Sequence, residues 1–168
     1  KVVIKSPVVD VISVLAGVTS FTLEGLTVRG GQDDAIYFNR SGGVVRNCVI
    51  ESNQNYGIWA QGTRTPLVVI SNNIRYNGTI DDDIDSSGIV LAQYTQYLIV
   101  GNAIVSNGLN FAGDDEVTGI YASRGTTNCR IEYNYISGNG SSCGGSVDFG
   151  TGAFGIKFES VDVAINTK

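Results

Sequence analysis

The sequence predicts an all-β protein, a right-handed, single-stranded parallel β-helix of about five to six coils with three short strands in each. Three observations predict this fold: abundant glycine, at 22 of 168 residues, the absence of the Ala, Leu, Glu and Lys clusters that surface helices need, and an internal repeat. A chain of this length can bury one core and is too short for two ordinary domains. We therefore expect residues 1–168 to form a single domain, either complete or a piece or repeat unit of a longer protein.

The repeat consists of eleven-residue segments that align without gaps. The third and eighth positions of every segment are apolar, and alternation of apolar and polar residues around them predicts two short strands per segment. The sixth position, between the two strands, is Asn72, Asn102 and Asn134 in the last three segments, which predicts a stack of asparagines at a tight turn. The segments are 21–31, 43–53, 67–77, 97–107 and 129–139.

A further strand comes before these segments and is the first strand of each coil. It carries an inward Ile and a second inward apolar residue two positions later, as in Ile58 and Ala60. Its copies start at residues 11, 35, 57, 88, 119 and 155, so the shortest coil has about 22 residues. Such a coil cannot bury its own apolar row, but coils stacked about 4.8 Å apart build a continuous core. Parallel crossover connections are right-handed, which predicts the hand of the coil.

The Gly-Ile strand starts, the asparagine turn and the segment 18–31 (VTSFTLEGLTVRGG) resemble the pectin-lyase-like right-handed parallel β-helix superfamily. The likeness covers nearly the whole chain. This superfamily includes pectate and alginate lyases, polygalacturonases, mannuronan epimerases and phage tailspikes, so the resemblance implies the fold and a polysaccharide partner. Because one fold hosts many functions, the activity has to be argued from the site.

The composition excludes several classes of function. The chain has no His, which excludes Ser-His-Asp and Cys-His nucleophile systems and His-ligated zinc. A net charge of -5 gives no basic footprint for nucleic acid. The apolar runs are too short for membrane insertion. Cys129 and Cys143 form a disulfide or stay as separate buried thiols, and the sequence leaves both alternatives open.

Aromatic residues recur at the outward position of the first strand. Tyr37, Trp59 and Tyr121 are expected along one face, at separations that suit the sugar rings of a polysaccharide. Asn39 and Gln61 come two residues after Tyr37 and Trp59 and are expected to hydrogen-bond hydroxyls. These five residues are the predicted substrate-binding site. The alternative is that aromatic neighbours only stabilise the sheet.

Ten of the sixteen acidic residues fall between the third strand of one coil and the first strand of the next. Because clustered carboxylates repel one another unless a cation screens them, and because oxygen ligands suit Ca²⁺, we expect Ca²⁺ as a cofactor in the long insertions there. The alternative is a solvated run of loop charges. The predicted ligands are Asp81, Asp82, Asp83, Asp114, Asp115 and Glu116.

If the chain is an enzyme, the resemblance implies a polysaccharide lyase or glycoside hydrolase acting on a uronate-type glycan. Lys157, Arg124 or Tyr121 would then act as the base, with Asp34 or the insertion acids holding Ca²⁺. The segment 32–36 (QDDAI) is similar to the Gly-Asp-Asp region of polygalacturonases. The Asn-Thr-Asp and Gly-His-Gly motifs of that family are missing, so whether the chain is catalytic stays open.

The second strands predict a surface for assembly. Five aliphatic side chains are expected to point outward in the middle coils, and a patch of this kind is usually covered by a partner. The rival hypothesis is therefore a non-catalytic structural or adhesive surface protein that self-assembles as a filament or trimer, or that packs against other domains of a parent protein. Both hypotheses imply an extracellular or cell-surface location, and sequons at Asn39, Asn77 and Asn139 are compatible with secretion. The predicted interface residues are Val44, Val68, Ile70, Leu98 and Val100.

Overall fold

The computed structural model describes residues 2–6, 9–62, 65–78, 86–93, 96–108, 117–123, 130–140 and 153–158. These ranges contain β-strands and turns and no helix, so no helix in them could span a membrane. Most strands have three or four residues, as the repeat predicts. The strands are β1 (Val3–Lys5), β2 (Ile12–Val14), β3 (Thr22–Glu24), β4 (Thr27–Arg29), β5 (Ile36–Asn39), β6 (Gly43–Arg46), β7 (Val49–Glu51), β8 (Ile58–Gln61), β9 (Leu67–Ile70), β10 (Asn73–Arg75), β11 (Ser86–Ala92), β12 (Tyr97–Val100), β13 (Ala103–Val105), β14 (Val117–Ala122), β15 (Arg130–Glu132), β16 (Tyr135–Ser137) and β17 (Ala153–Phe158).

The strands form three parallel sheets. The first-strand sheet has the order β17-β14-β11-β8-β5-β2, the second-strand sheet β15-β12-β9-β6-β3, and the third-strand sheet β1-β4-β7-β10-β13-β16. Strand numbers in each sheet differ by three, because the chain visits all three sheets in every coil. The described chain therefore makes five complete coils, from β2 to β16, with β1 before them and β17 after them. The predicted parallel β-helix of five to six three-strand coils is confirmed.

The core consists of columns of apolar side chains that point inward at the same position in successive coils. In the first-strand sheet, Ile36 pairs with Ile58 and Ile58 pairs with Ile89. All three side chains are fully buried. The apolar third and eighth positions of the repeat form the corresponding columns of the other two sheets. The registers predicted from the repeat are therefore the observed ones, and they determine which residues face outward.

The predicted asparagine stack lies between the second and third strands. The side-chain Nδ2 of Asn72 donates to Oδ1 of Asn102 at 3.0 Å, and Nδ2 of Asn102 donates to Oδ1 of Asn134 at 2.9 Å. The same oxygens accept the backbone N–H groups of Asn72 and Asn102. The ladder thus satisfies backbone and side-chain groups at a buried corner, where an unpaired polar group would be costly.

A second asparagine ladder lies at the corner after the third strand. It runs through Asn53, Asn77, Asn107 and Asn139, with amide-to-amide distances of 2.7, 3.0 and 2.8 Å. This second ladder is not among the features predicted from the sequence. Its signal was nevertheless present, because the eleventh position of the last four segments is Asn.

The residue before each ladder asparagine has a positive φ. Ser71, Gly101 and Tyr133 precede the first ladder with φ of 55°, 63° and 56°. This left-handed conformation turns the chain sharply and aims the next side chain inward. Where the residue is Ser71 or Tyr133 and not glycine, the hydrogen bonds of the asparagine that follows it stabilise the corner.

Candidate functional site

The outward column of the first-strand sheet contains the predicted aromatic residues in neighbouring coils. Tyr37 pairs with Trp59, and their rings stack with centroids 4.7 Å apart and an interplanar angle of 29°. The ring of Tyr56 meets Trp59 edge-on at 6.0 Å. Each of the two stacked rings covers one face of the other, and both rings are half-buried. The pair therefore does not offer a row of exposed ring faces on which successive sugars could stack.

Tyr121 and Lys157 form a separate group further along the same column. Their positions are paired across β14 and β17, and Nζ of Lys157 lies 5.6 Å from the ring centroid of Tyr121. Val90 lies between Trp59 and Tyr121 in the column and is buried, at 6% exposure. Tyr37 and Tyr121 are three coils apart, which corresponds to about 14 Å.

A cavity of about 350 Å³ opens beside Tyr37, at the end of the first strands. It contains several groups that can hydrogen-bond a ligand, and the hydroxyl of Tyr37 donates to Oε1 of Gln61 at 3.2 Å. This bond orients the Gln61 amide at the wall of the cavity. The lining residues are Ala16, Tyr37, Asn39, Arg40, Gln61, Gly62 and Gln93.

The cavity exists because a glycine stands between two long side chains. Asn39 pairs with Gln61, and Gln61 pairs with Ala92, so Arg40, Gly62 and Gln93 follow at the same turn of three successive coils. Gly62 has a φ of 60°, and a Cβ added to it would meet only Cγ of Arg40, at 3.6 Å. The missing side chain leaves room for a ligand between Arg40 and Gln93.

Three carboxyl groups cluster at the opposite end of the same strands. One carboxyl oxygen from each of Asp10, Asp33 and Asp34 lies within 4.8 Å of the other two. Asp34 is fully buried, whereas Asp10 and Asp33 are half-buried. Oδ1 of Asp34 accepts a hydrogen bond from the backbone N–H of Tyr56 at 3.1 Å. We call Asp10, Asp33 and Asp34 the acidic triad.

The environment of the acidic triad favours the protonated form of its buried member. Burial, followed by the Asp33 carboxylate, raises the pKa of Asp34 from 3.8 to about 8. The Tyr56 N–H opposes this rise, and Asp10 adds to it. Burial, and then Asp10 and Asp34, also raise the pKa of Tyr37, which Arg40 lowers. The charges of the triad and of Arg40 at the cavity therefore both act on the Tyr37 hydroxyl.

The structure brings together some of the predicted site residues and separates others. Tyr37, Asn39 and Gln61 line the cavity, and Trp59 supports Tyr37 from the next coil. Lys157 and Asp34 are four coils apart, about 19 Å, so they cannot act on the same bond. The predicted base Arg124 lies outside the described residues, and so do Cys129, Cys143 and the six predicted metal ligands. Catalytic roles for Lys157, Tyr121 and Asp34 stay predictions.

Sequence reasoning missed Arg40, Gln93 and Asp10. Arg40 and Gln93 follow the ends of first strands, a position at which the sequence repeats no residue type that would indicate a site. Asp10 comes two residues before the inward Ile12, the same offset that separates Asp34 from Ile36. Comparison of these offsets would have placed Asp10 beside Asp34.

Two of the three sequons are part of the second asparagine ladder. Asn77 and Asn139 are buried, at 0% and 8% exposure, and their amides hydrogen-bond within the ladder. They are therefore inaccessible to glycosylation in the folded protein, and only Asn39 stays compatible with it.

Comparison with known proteins supports the fold and does not identify an activity. The family model described as "Right handed beta helix region" matches residues 11–166, nearly the whole chain. Neither the curated proteins nor the solved structures include a significant match. The match agrees with the three parallel sheets, with the hand expected for parallel crossovers and with the resemblance to the pectin-lyase-like superfamily. The chain belongs to the right-handed β-helix family.

Proposed function

We propose that this β-helix binds polysaccharide in the cavity on its first-strand face. The single observation that carries the proposal is that amide groups from three neighbouring coils and one guanidinium converge on a recess of about 350 Å³ next to a tyrosine. Amides both donate and accept hydrogen bonds, which suits the hydroxyl groups of sugars. A recess of this size holds one or two sugar rings, and a longer chain would extend along the sheet.

Arg40 makes a uronate the favoured sugar. Its side chain is exposed at the cavity, and a guanidinium binds a carboxylate through two parallel hydrogen bonds. The net charge of -5 repels a polyanion at long range, so binding of an acidic glycan should strengthen with moderate salt until salt also screens Arg40.

The cavity supports binding more than catalysis. Its described lining includes no carboxyl group and no lysine. Asp34 is too deeply buried to touch a sugar, and Lys157 lies several coils away. We therefore propose binding without bond cleavage, at an extracellular or cell-surface location where polysaccharides are found. Fractionation of the producing cells tests that location.

The experiment measures binding of neutral and uronate-containing oligosaccharides by glycan array and calorimetry. Gln61→Ala and Arg40→Ala should each weaken binding about tenfold or more, since each removes hydrogen bonds worth about 1.4 kcal/mol or more. Gln96→Ala is the matched control, because Gln96 lies before β12 and outside the cavity. The proposal is wrong if no glycan binds, or if Gln61→Ala and Gln96→Ala bind alike.

A second candidate function, self-assembly, rests on the second-strand sheet. Val68 pairs with Val44 on one side and with Leu98 on the other, while Ile70 pairs with Val100. These five half-buried residues form a continuous aliphatic patch on the outer face. Ion pairs flank it, Arg46 with Glu24 at 2.7 Å and Arg130 with Glu132 at 2.9 Å.

The aliphatic patch and its charged borders resemble the apolar centre and polar rim of a protein interface. We propose that a second copy of the chain covers it, as in a filament or trimer, if the protein serves a structural or adhesive role. Light scattering at high protein concentration should then find an oligomer. A strictly monomeric chain would contradict this second candidate.

A further inference from the structure

The acidic triad has a geometry that one cation can span. Two oxygens bound to the same Ca²⁺ at about 2.4 Å lie no more than about 4.8 Å apart. The carboxyl oxygens of Asp10, Asp33 and Asp34 meet this condition in all three pairs. Carboxylate oxygens are also the ligands that hard divalent cations prefer.

The buried member of the triad has an oxygen without a hydrogen-bond partner. Oδ2 of Asp34 has almost no exposed surface and receives no hydrogen bond from the residues that the structure describes. Oδ1 of the same group is satisfied by the Tyr56 N–H. An orphaned, fully buried carboxyl oxygen is costly to maintain, so its presence beside two further carboxylates indicates a missing partner.

The register of the first-strand sheet places two acids directly above one another. The backbone N–H of Val11 donates to the carbonyl of Asp34, and the N–H of Ile12 donates to that of Ala35. Asp10 and Asp34 therefore occupy equivalent positions in adjacent coils. Two ionised carboxylates at such positions would repel each other unless one of them is protonated or a cation binds between them. In the part of the chain that the structure describes, no lysine or arginine forms an ion pair with Asp10, Asp33 or Asp34.

Asp10 and Asp33, the two half-buried members of the triad, each accept one side-chain hydrogen bond. Each has a second carboxyl oxygen that can bind a metal ion. The hydroxyl of Ser13 donates to Oδ2 of Asp10 at 2.8 Å, and Nδ2 of Asn55 donates to Oδ1 of Asp33 at 3.1 Å. Such bonds orient a carboxylate towards a metal without using all of its lone pairs.

From this geometry we propose that Asp10, Asp33 and Asp34 bind one Ca²⁺ ion that ties the first coil of the β-helix to the second. The ion balances the charge of the three carboxylates and coordinates Oδ2 of Asp34, the oxygen that has no hydrogen-bond partner. This site is separate from the insertion acids that the sequence analysis favoured, and it does not depend on polysaccharide binding. Its role is structural, because Asp34 is closed off from a surface ligand.

The test uses the full chain, stripped with a chelator and titrated with Ca²⁺ up to about 10 mM. We expect heat of binding and a rise in melting temperature of several degrees, because a ligand specific to the folded state stabilises it. Calorimetry measures the heat, and thermal unfolding followed by circular dichroism measures the melting temperature.

Two variants of the triad and one matched control locate the ion. Asp34→Asn and Asp10→Asn should each weaken Ca²⁺ binding at least tenfold. Asp114→Asn with Asp115→Asn, in an insertion, should leave Ca²⁺ binding unchanged. Circular dichroism of the calcium-free variants checks that they fold.

Three outcomes would overturn the proposal. The wild type shows neither heat nor a melting shift, Asp34→Asn binds as the wild type does, or only the insertion variant loses binding. The last result would move the ion to the site predicted from the sequence.

Discussion

Replacement of Asp34 by Asn is expected to change how the stability of the protein depends on pH. The asparagine side chain has nearly the same size and can still accept the Tyr56 N–H, but it cannot ionise. In the absence of divalent cations, the folded wild type keeps the Asp34 proton up to a pKa of about 8, because the group is buried beside Asp33 and Asp10. The unfolded chain releases that proton near pH 4.

The sign of the effect follows from this difference. Between about pH 4 and pH 8 the folded state binds one proton that the unfolded state has lost, so the free energy of unfolding falls as the pH rises. Each pH unit costs about 1.4 kcal/mol. The interval between the ordinary value of 3.8 and about 8 therefore amounts to on the order of 6 kcal/mol, a large part of the stability of an ordinary domain. Asp34→Asn removes this loss.

Urea unfolding with a chelator present, at pH values from 4.5 to 8.5, measures the effect. The variant and the wild type should be similar near pH 4.5, and the variant should be more stable by several kcal/mol at pH 8. Glu24→Gln is the control, because it removes an exposed carboxylate and leaves the slope due to Asp34 in place. Parallel pH profiles for the wild type and Asp34→Asn would refute the reasoning, since burial of Asp34 would then have no effect on its protonation.

Two further predictions concern the ladders and the aliphatic patch. Asn77→Ala should lower the free energy of unfolding by about 3 to 5 kcal/mol in urea titrations, because it leaves several buried donors and acceptors without partners. Asn73→Ala is the control and should cost less than about 1 kcal/mol, since Oδ1 of Asn73 has no hydrogen-bond partner among the described residues. Val68→Asp with Leu98→Lys should dissociate any oligomer seen by light scattering without loss of the β-sheet circular dichroism signal, because both side chains point outward. An oligomer that survives both charges would exclude the patch as its interface.

The repeat in the sequence was sufficient to predict the coil, its three strands and the register between coils. A parallel β-helix allows this because every coil repeats the same inward positions, so residues aligned in the sequence are neighbours in the fold. Val45 and Val69 occupy the third position of successive segments, and they pair across β6 and β9 as expected. The same logic predicted the first asparagine ladder and identified which first-strand residues point outward.

The sites depend on contacts that the alignment of segments does not specify. The cavity arises where Gly62 lies between Arg40 and Gln93, at a corner where no regular pattern indicates which side chains converge. The predicted calcium ligands lie in the insertions because most of the acidic residues that fall between the third strand of one coil and the first strand of the next are there. By contrast, Asp10 is distant in sequence from Asp33 and Asp34, and only the fold brings the three together.

The sequence by itself determined the architecture, because periodic burial of apolar side chains is a local property that recurs in every coil. The tertiary structure alone decided the environment of individual polar groups, because burial and charge depend on what the coils above and below contribute. Asp34 shows the difference most clearly. In the sequence it is one of two adjacent aspartates, and in the fold it is a fully buried carboxyl group with an orphaned oxygen, packed against acids from its own coil and the coil before it.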